Sequence, residues 1–372
     1  MRKHVLGGVV GAAVAALVLA GCGGSPSTST ASASSDKAAK HAQSVYDQIN
    51  GLTGEARTKK LVAMATKEGE FNLYTSNTDI QDIVDAFSDK YDIDVNVYRA
   101  NSETVLQRVL QEAKASFQGA DLIETNAGEL NVMQSEGLLS DYTGALRDSV
   151  RPEGQKDGWT ADRFNVFVVG WNSKLVKTPP TSLEDLADPK WKGKVSMEVG
   201  DVDWFAAMIK YYESKGMSED DAIALFDKIA KNAKIVKGHT VQGELLSAGQ
   251  FGVATSIYSH TVDKAEHEGA PVEWRSGSVQ PVQPVVIRPN GAALVHNAKA
   301  PAAAMLFMDF LLTDGQKLLK DVYRIGSVPG QGDPLAGLET TTPPEKELLD
   351  DAEKWDGLYE KVTDGGVATG DQ

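Results

Sequence analysis

Apolar and polar positions along the chain predict strands and helices that follow one another from about residue 70 onward. Strand-like apolar runs occupy residues 70–74, 93–98 and 120–124, and the first two are each followed by apolar residues at helical spacing. The first of these helical faces consists of Ile80, Ile83, Val84 and Phe87, and the second includes Val105, Val109 and Leu110. Because helices between successive strands make those strands parallel, the pattern predicts an α/β fold with a mainly parallel sheet.

The second half of the chain contains the candidates for connections between two lobes. Residues 164–171 form a dense run of β-forming residues, long enough to pass from one lobe to another, and residues 282–286 are a candidate for a second crossing. Further strands are predicted at 195–199 and 252–257, and further helices at 183–187, 204–214, 218–232 and 300–312. Ser218 and Asp221 have the spacing of a capping box. The length of 372 residues also favours two domains or lobes.

The first 22 residues have the order of an export signal. A basic head of Arg2 and Lys3 precedes an uncharged apolar stretch over residues 5–19, and the segment closes on Leu-Ala-Gly-Cys22. The stretch is shorter than the roughly 20 apolar residues that span a bilayer. The ending looks like the lipobox of bacterial lipoproteins, which implies lipidation of Cys22 and an extracytoplasmic protein anchored to the bacterial cell membrane. The alternative is a plain signal peptide with a free thiol.

The composition of the segment after Cys22 predicts a flexible tether followed by helices. Residues 23–35 contain only Gly, Ser, Pro, Thr and Ala, a composition that buries too little apolar surface to fold and predicts a flexible tether. Residues 36–50 and 55–67 then show helical spacing of apolar residues.

Charge and composition exclude several classes of protein. The chain has 52 acidic and 37 basic residues and a net charge of −15, which argues against nucleic-acid binding. With one cysteine there is no disulfide framework, so stability must come from apolar cores. No GxSxG elbow, HExxH helix or nucleotide-binding glycine loop is present, and the carboxylates are spread along helices. We therefore expect neither catalysis nor a cofactor, with an extracellular enzyme or a structural lipoprotein as the alternatives.

Four segments carry a family resemblance. They are residues 68–76 (EGEFNLYTS), 119–125 (GADLIET), 181–195 (TSLEDL and PKWKGKV) and 303–316 (AAMLFMDFLL and GQ). In this order behind a lipobox, the chain resembles the extracellular solute-binding proteins of ABC importers, in the branch that includes ferric-ion-binding proteins. The likeness covers most of residues 55–330.

The resemblance implies a periplasmic-binding-protein type II fold, in which two lobes with mixed, mainly parallel sheets flanked by helices are joined by a hinge. The predicted parts are a signal peptide (1–21), a tether (22–36), an N-terminal helix (37–54), lobe one (55–163 and 285–320) and lobe two (164–284 and 321–372). The lobes would close on a small solute, and the closed form, a monomer, would dock on the permease of the importer. A lipid tether raises the effective concentration of that encounter.

The position of the tyrosines decides between two solutes. Ferric-binding members carry two adjacent tyrosines after the strand equivalent to residues 253–256, whereas the aligned positions here hold Ser259 and His260, and Tyr258 falls one residue early. The loop at residues 75–79 also lacks the histidine of some iron binders. Ferric iron or an iron complex is therefore the alternative solute, and no metal ligand is assigned.

The first-lobe candidates favour an anionic organic solute. Thr75, Ser76 and Asn77 lie before a predicted helix, where free N–H groups and the helix dipole attract anions. Asn126 lies in a second polar turn at the same edge of the predicted sheet. Relatives in this branch bind phosphorylated or phosphonate solutes and other small polar compounds through such loops. The alternative for the first loop is an ordinary helix cap, which has equal weight.

The second-lobe candidates are Asp203, Trp204, Thr240, Tyr258, Ser259 and His260. Asp203 either caps a helix or, with Asp201, binds an amine or cation, and Trp204 either stacks on a ring or packs between lobes. His239 and His260 without further cysteine are a weak metal signature. Arg163 and Arg324 are suited to clamping an anionic group, although surface ion pairs are the commoner role.

Overall fold

The computed structural model describes residues 28–368 except 118, 278, 331 and 332. The predicted signal peptide, Cys22 and the first part of the tether lie outside the described residues. Within the described part, no helix is long and apolar enough to span a membrane.

The helices are α1 Thr28–Asn50, α2 Gly54–Glu68, α3 Ile80–Tyr91, α4 Ser102–Lys114, α5 Ala127–Ser135, α6 Ala145–Asp148, α7 Val202–Ser214, α8 Glu219–Ala230, α9 His239–Ser247, α10 Ser259–His267, α11 Pro301–Leu311, α12 Asp314–Asp321, α13 Glu345–Asp350 and α14 Ala352–Asp364. The strands are β1 Phe71–Thr75, β2 Val95–Arg99, β3 Leu122–Asn126, β4 Leu139–Ser140, β5 Thr160–Asn172, β6 Val195–Glu198, β7 Ala233–Val236, β8 Val253–Tyr258, β9 Val272–Glu273, β10 Val285–Val295, β11 Ile325–Gly326, β12 Thr340–Thr341 and β13 Val367–Ala368.

The predicted alternation of strands and helices is confirmed. The four apolar residues predicted to form one face of α3 are all buried, as amphipathic spacing requires. The predicted cap of α8 is also present, since the Ser218 hydroxyl oxygen accepts a hydrogen bond from the Asp221 N–H at 3.1 Å. The predicted strand at 120–124 continues to Asn126, and α5 begins at the next residue without an intervening turn.

The strands form a mixed sheet in the order β13-β7-β6-β8-β5-β10-β3-β1-β2. The pairs β1–β2, β1–β3, β6–β7 and β6–β8 are parallel, whereas the pairs β8–β5, β5–β10 and β10–β3 are antiparallel. One hydrophobic core lies around β1–β3 and α11, and a second lies around β6, α7 and α8. The long strand β5 contributes Ala161 and Phe164 near its start to the first core and Val169 and Trp171 near its end to the second, so it passes from one to the other.

The second crossing begins three residues later than predicted and is much longer. It is β10, which pairs with β5 through a register shift between Asn290 and Gly291. A Cβ on Gly291 would lie 2.5 Å from the Thr160 carbonyl oxygen, so only glycine allows this close approach of the two crossing strands.

The N-terminal helix extends further than predicted, because α1 begins at Thr28, inside the segment expected to be a flexible tether. Ala42, Val45, Tyr46 and Ile49 of α1 are buried in the first core. Alanine and serine continue a helix at low cost once its C-terminal half is held by packing. The prediction of a flexible chain up to residue 36 is therefore wrong from Thr28 onward.

The C-terminal segment packs with both cores. Ile325 and Leu335 lie in the first core, whereas Trp355, Tyr359 and Val362 of the last helix lie in the second. A third passage between the cores therefore lies in the chain between β11 and α14.

Candidate functional site

A polar cleft separates the two cores, and it contains two cavities above the crossing strands. The first cavity, about 680 Å³, is lined by Asn126 and Glu129 on one side, by Asp203 on the other and by Arg288. The second cavity, about 770 Å³, has a separate lining that includes Thr78, Asp79, Thr240, His260 and Arg324. Cavities of this size between two lobes are suited to small ligands.

Arg288 lines the first cavity and is hydrogen-bonded to Tyr258. Strand β10 places the guanidinium of Arg288 where it donates to the Asp203 carboxylate at 2.7 Å and to the Tyr258 hydroxyl oxygen at 2.8 Å. Burial raises the pKa of Tyr258 despite the opposing Arg288 charge, so the phenol is neutral at physiological pH. Burial lowers the pKa of Arg288, but Tyr258 and Asp203 more than offset it, so Arg288 stays charged.

Three aromatic rings of the second lobe are stacked on one another. The His239 ring lies 3.9 Å from the Tyr258 ring at an interplanar angle of 14°, and the His260 ring lies 5.4 Å from Tyr258 on a similar plane. Burial lowers the pKa of His239, but Asp201, 2.8 Å from its Nε2, raises it more. Burial, with Arg324 and Arg163 nearby, lowers the pKa of His260 well below 6.5, so His260 is a neutral ring.

Two further arginines lie at the base of the cleft. Arg163 of β5 pairs with Glu124 and with Asp162, and it is almost completely buried. Arg324 donates from Nε to Asp79 at 2.6 Å and so attaches the segment after α12 to the start of α3. The Nε groups of Arg163 and Arg288 are buried and have no hydrogen-bond partner among the described residues. Of the two, Arg288 lines a cavity and therefore has a donor left for a ligand.

The first-lobe loop uses most of its polar groups to hold its own turn. The Thr75 hydroxyl oxygen accepts from the Asn77 N–H at 2.9 Å, and the Asn77 side-chain oxygen accepts from the Asp79 N–H at 3.0 Å. The Ser76 and Thr125 hydroxyls lie 2.9 Å apart. Only the Asn77 side-chain amide nitrogen is left, buried and without a partner among the described residues. The cap interpretation thus accounts for much of this loop, and the side-chain NH2 group of Asn77 keeps its two N–H donors.

The structure places the remaining predicted site residues in three different surroundings. Asn126 lines the first cavity and accepts from the Asn290 amide at 2.6 Å, and Thr240 lines the second cavity. Ser259 is buried at the start of α10. Trp204 packs edge-on against Phe226 in the second core. Its indole therefore has a packing role.

Sequence reasoning missed Arg288. The residue is the only charged side chain in the apolar run of β10 from Val285 to Val295. An isolated charge in a crossing strand is a signal of a buried functional site, because burial of a charge without partners is costly.

One group of side chains in the described part of the chain has the composition of a metal site. Donor atoms of Glu198, Asp201 and His239 lie within 4.8 Å of one another. Two carboxylates and an imidazole suit a transition metal. The Glu198 oxygens, however, accept from the Gly200 N–H at 2.6 Å and from the Gly238 N–H at 2.7 Å. In this structure the group holds the loops after β6 and β7.

Two α/β lobes, long crossing strands and a polar cleft between the lobes are the architecture of a solute-binding protein. A family model described as bacterial extracellular solute-binding protein matches residues 118–348. The chain belongs to this family. It is therefore an extracellular solute-binding protein, and the family places its work outside the cytoplasm.

Known relatives agree with this assignment. Iron uptake protein A1 of a Synechocystis species is 22% identical over 284 residues, which cover 73% of this chain and 78% of that protein. Iron-bound HitA from Pseudomonas aeruginosa superposes with a TM-score of 0.66 at 23% identity, over 79% of this chain and 99% of HitA. AfuA from Actinobacillus pleuropneumoniae, with fructose 6-phosphate bound, gives 0.66 at 20% identity, over 80% and 99%. These similarities confirm the two-lobed periplasmic-binding-protein fold.

Proposed function

We propose that this protein captures a small organic solute with a phosphate or phosphonate group in the cleft and delivers it to the permease of an ABC importer. The observation that carries the proposal is the Arg288 guanidinium, which lines the first cavity and has an unpartnered, buried Nε. Guanidinium groups bind phosphate through paired, charge-assisted hydrogen bonds. The proposed contacts are Arg288 and the predicted residues that line the two cavities, namely Asn126 and Asp203 in the first and Thr240 and His260 in the second.

The carboxylates around Arg288 restrict the chemical class of solute that fits the site. Asp203 accepts from Arg288, and Glu129 lines the same cavity. A simple inorganic anion would meet these carboxylates on several sides, whereas hydroxyl or amine groups of an organic solute would satisfy them. The site therefore favours a phosphorylated compound with hydrogen-bond donors over inorganic phosphate.

Ligand retention tests this function directly. Native mass spectrometry of the freshly purified mature protein should show a bound organic mass that is lost on denaturation. Added fructose 6-phosphate, the compound bound to AfuA, should raise the melting temperature, since a hundredfold excess over the dissociation constant stabilises by about 2.7 kcal/mol. A protein that is isolated empty and is stabilised by no phosphorylated compound, or that turns such compounds over, would contradict the proposal.

Ferric iron is the second candidate, because HitA contains iron. The donor set here is poor for a trivalent cation, since the single tyrosine at this place is a neutral phenol bonded by a cationic Arg288. We expect ferric ion to produce no visible tyrosinate charge-transfer band with the purified protein. A band that appears with iron and is abolished in Tyr258→Phe would reverse the order of the two candidates.

We also propose that Cys22 carries the lipid anchor. The supporting observation is its place at the end of the signal-like segment, as the only cysteine of the chain. Two acyl chains give a stable anchor, whereas one holds only marginally. Cys22→Ala should move the protein from the membrane fraction to the soluble fraction of cells, and unchanged membrane association would contradict this assignment.

A further inference from the structure

The short helix α13 lies between the two lobes at the side of the first cavity. Its residues Glu345, Leu348 and Leu349 line that cavity together with Asn126 and Asp203, which belong to opposite sides of the cleft. The chain reaches α13 after β12, which pairs with β10, and continues directly into α14.

One side of α13 is attached to the second lobe. Leu348 packs against the second core, and the Glu347 carboxylate lies 2.8 Å from the ammonium of Lys210 in α7. The following helix is held firmly in the same lobe, where Trp355 and Tyr359 are buried. α13 therefore moves with the second lobe.

The other side of α13 is attached to the first lobe through Glu345. One carboxylate oxygen lies 2.9 Å from the Lys156 ammonium, and the other accepts from the Asn131 amide at 3.4 Å. The Asn131 side-chain oxygen in turn accepts from the indole N–H of Trp159, a buried residue of the first core, at 2.9 Å. Side-chain exposure is only 27% for Lys156 and 19% for Glu345, so water screens the pair less than a typical surface pair.

We propose that the contacts of Glu345 with Lys156 and Asn131 form an interlobe clasp that stabilises the closed cleft and sets solute affinity and residence time. The two lobes can separate only if these contacts break, because Glu345 and its partners are attached to different cores. The clasp thus lowers the free energy of the closed state relative to the open state. A ligand that binds the closed state therefore binds more tightly than it would without the clasp. This inference rests on the proposed solute binding in the cleft, but the closure itself can be measured without solute.

The chain offers a matched control for the test. Glu345→Gln removes the charge that crosses the cleft, whereas Glu347→Gln removes a charge of the same helix that pairs within the second lobe. Both are compared with the unmodified mature protein by small-angle X-ray scattering without solute. We expect a larger radius of gyration for Glu345→Gln only, with increased hydrogen exchange of α5 and α13.

Binding gives the second readout. With fructose 6-phosphate as the probe, Glu345→Gln should weaken affinity about fivefold, mainly through faster dissociation, and Glu347→Gln should leave it unchanged. Lys156→Glu should open the cleft like Glu345→Lys, and the two changes together should restore the closed form.

The outcomes distinguish failure of the clasp from failure of the solute assignment. If Glu345→Gln and Glu347→Gln give the same scattering and hydrogen exchange, the clasp is refuted. If the double exchange fails to restore closure, Lys156 and Glu345 are not its partners and the clasp as proposed is also wrong. If the probe does not bind but scattering separates the two glutamine variants, the clasp stands and the solute assignment alone fails.

Discussion

Replacing Arg288 with glutamine should lower the affinity for a phosphorylated solute by at least about thirtyfold. Arg288 is the cation that lines the first cavity and also donates to Tyr258 and Asp203. Removal of one partner from a buried, charged hydrogen-bond network costs about 2–5 kcal/mol, part of it because Asp203 is left without its cation. Isothermal titration with fructose 6-phosphate measures the loss, and Arg288→Lys should recover part of the affinity.

The control for this prediction is Arg275→Gln. Arg275 lies over the Trp274 ring, and its side chain is 39% exposed outside both cavities. We expect its affinity to remain that of the unmodified protein. If Arg288→Gln and Arg275→Gln have similar affinities and melt at similar temperatures, Arg288 does not bind the solute.

The largest expected effect on stability is that of Asp309→Ala, at about 3–5 kcal/mol. Asp309 of α11 accepts from Arg57 Nε at 2.7 Å and from the Arg57 terminal nitrogen at 2.9 Å, and it also accepts from the Tyr142 hydroxyl at 2.6 Å. The side chains of Arg57 and Asp309 are 6% and 10% exposed, so the substitution leaves an unpaired guanidinium away from water. Urea unfolding followed by circular dichroism measures the change.

An exposed pair between α3 and the first residue of α12 provides the comparison. Asp314 pairs with Lys90 at 2.7 Å, and the two side chains are 37% and 46% exposed. Because solvent-exposed ion pairs contribute about 0–1 kcal/mol, Asp314→Ala should change the unfolding free energy by less than about 1 kcal/mol. If both substitutions destabilise the protein equally, burial of the Arg57–Asp309 pair does not determine its contribution.

Local sequence patterns predicted the helices and strands because each of them is specified by the spacing of apolar residues and by caps within a few neighbouring positions. The apolar spacing of α3 and the serine cap of α8 are contained within one or two turns, and both agree with the structure. The start of α1 did not follow from the pattern. A stretch of small and hydroxyl residues favours neither helix nor coil strongly, and the packing of Tyr46 and its neighbours supplied the missing free energy.

The candidate site was predicted only in part, for a different physical reason. Tyr258 was identified from the resemblance to the tyrosine positions of ferric-binding proteins, and Asp203 from its place before a predicted helix; in the structure they lie at the end of β8 and in the first turn of α7. Their partner Arg288 is 30 residues from Tyr258 and 85 from Asp203, so no local period relates them. The Thr75–Asn77 loop shows the opposite case. Its internal hydrogen bonds could not be seen in the composition, and they leave only the side-chain NH2 group of Asn77 without a partner among the described residues.

The sequence by itself determined the order of strands and helices and the likeness to solute-binding proteins, because these depend on neighbouring residues or on recurring segments. Only the tertiary structure decided which polar groups share the cleft. Arg163, Arg288 and Arg324 come together because β5 and β10 pair antiparallel and β11 adds to β5. That register is selected because it buries the apolar residues of both cores at once. The free energy of this burial comes from residues throughout the chain and not from any one segment.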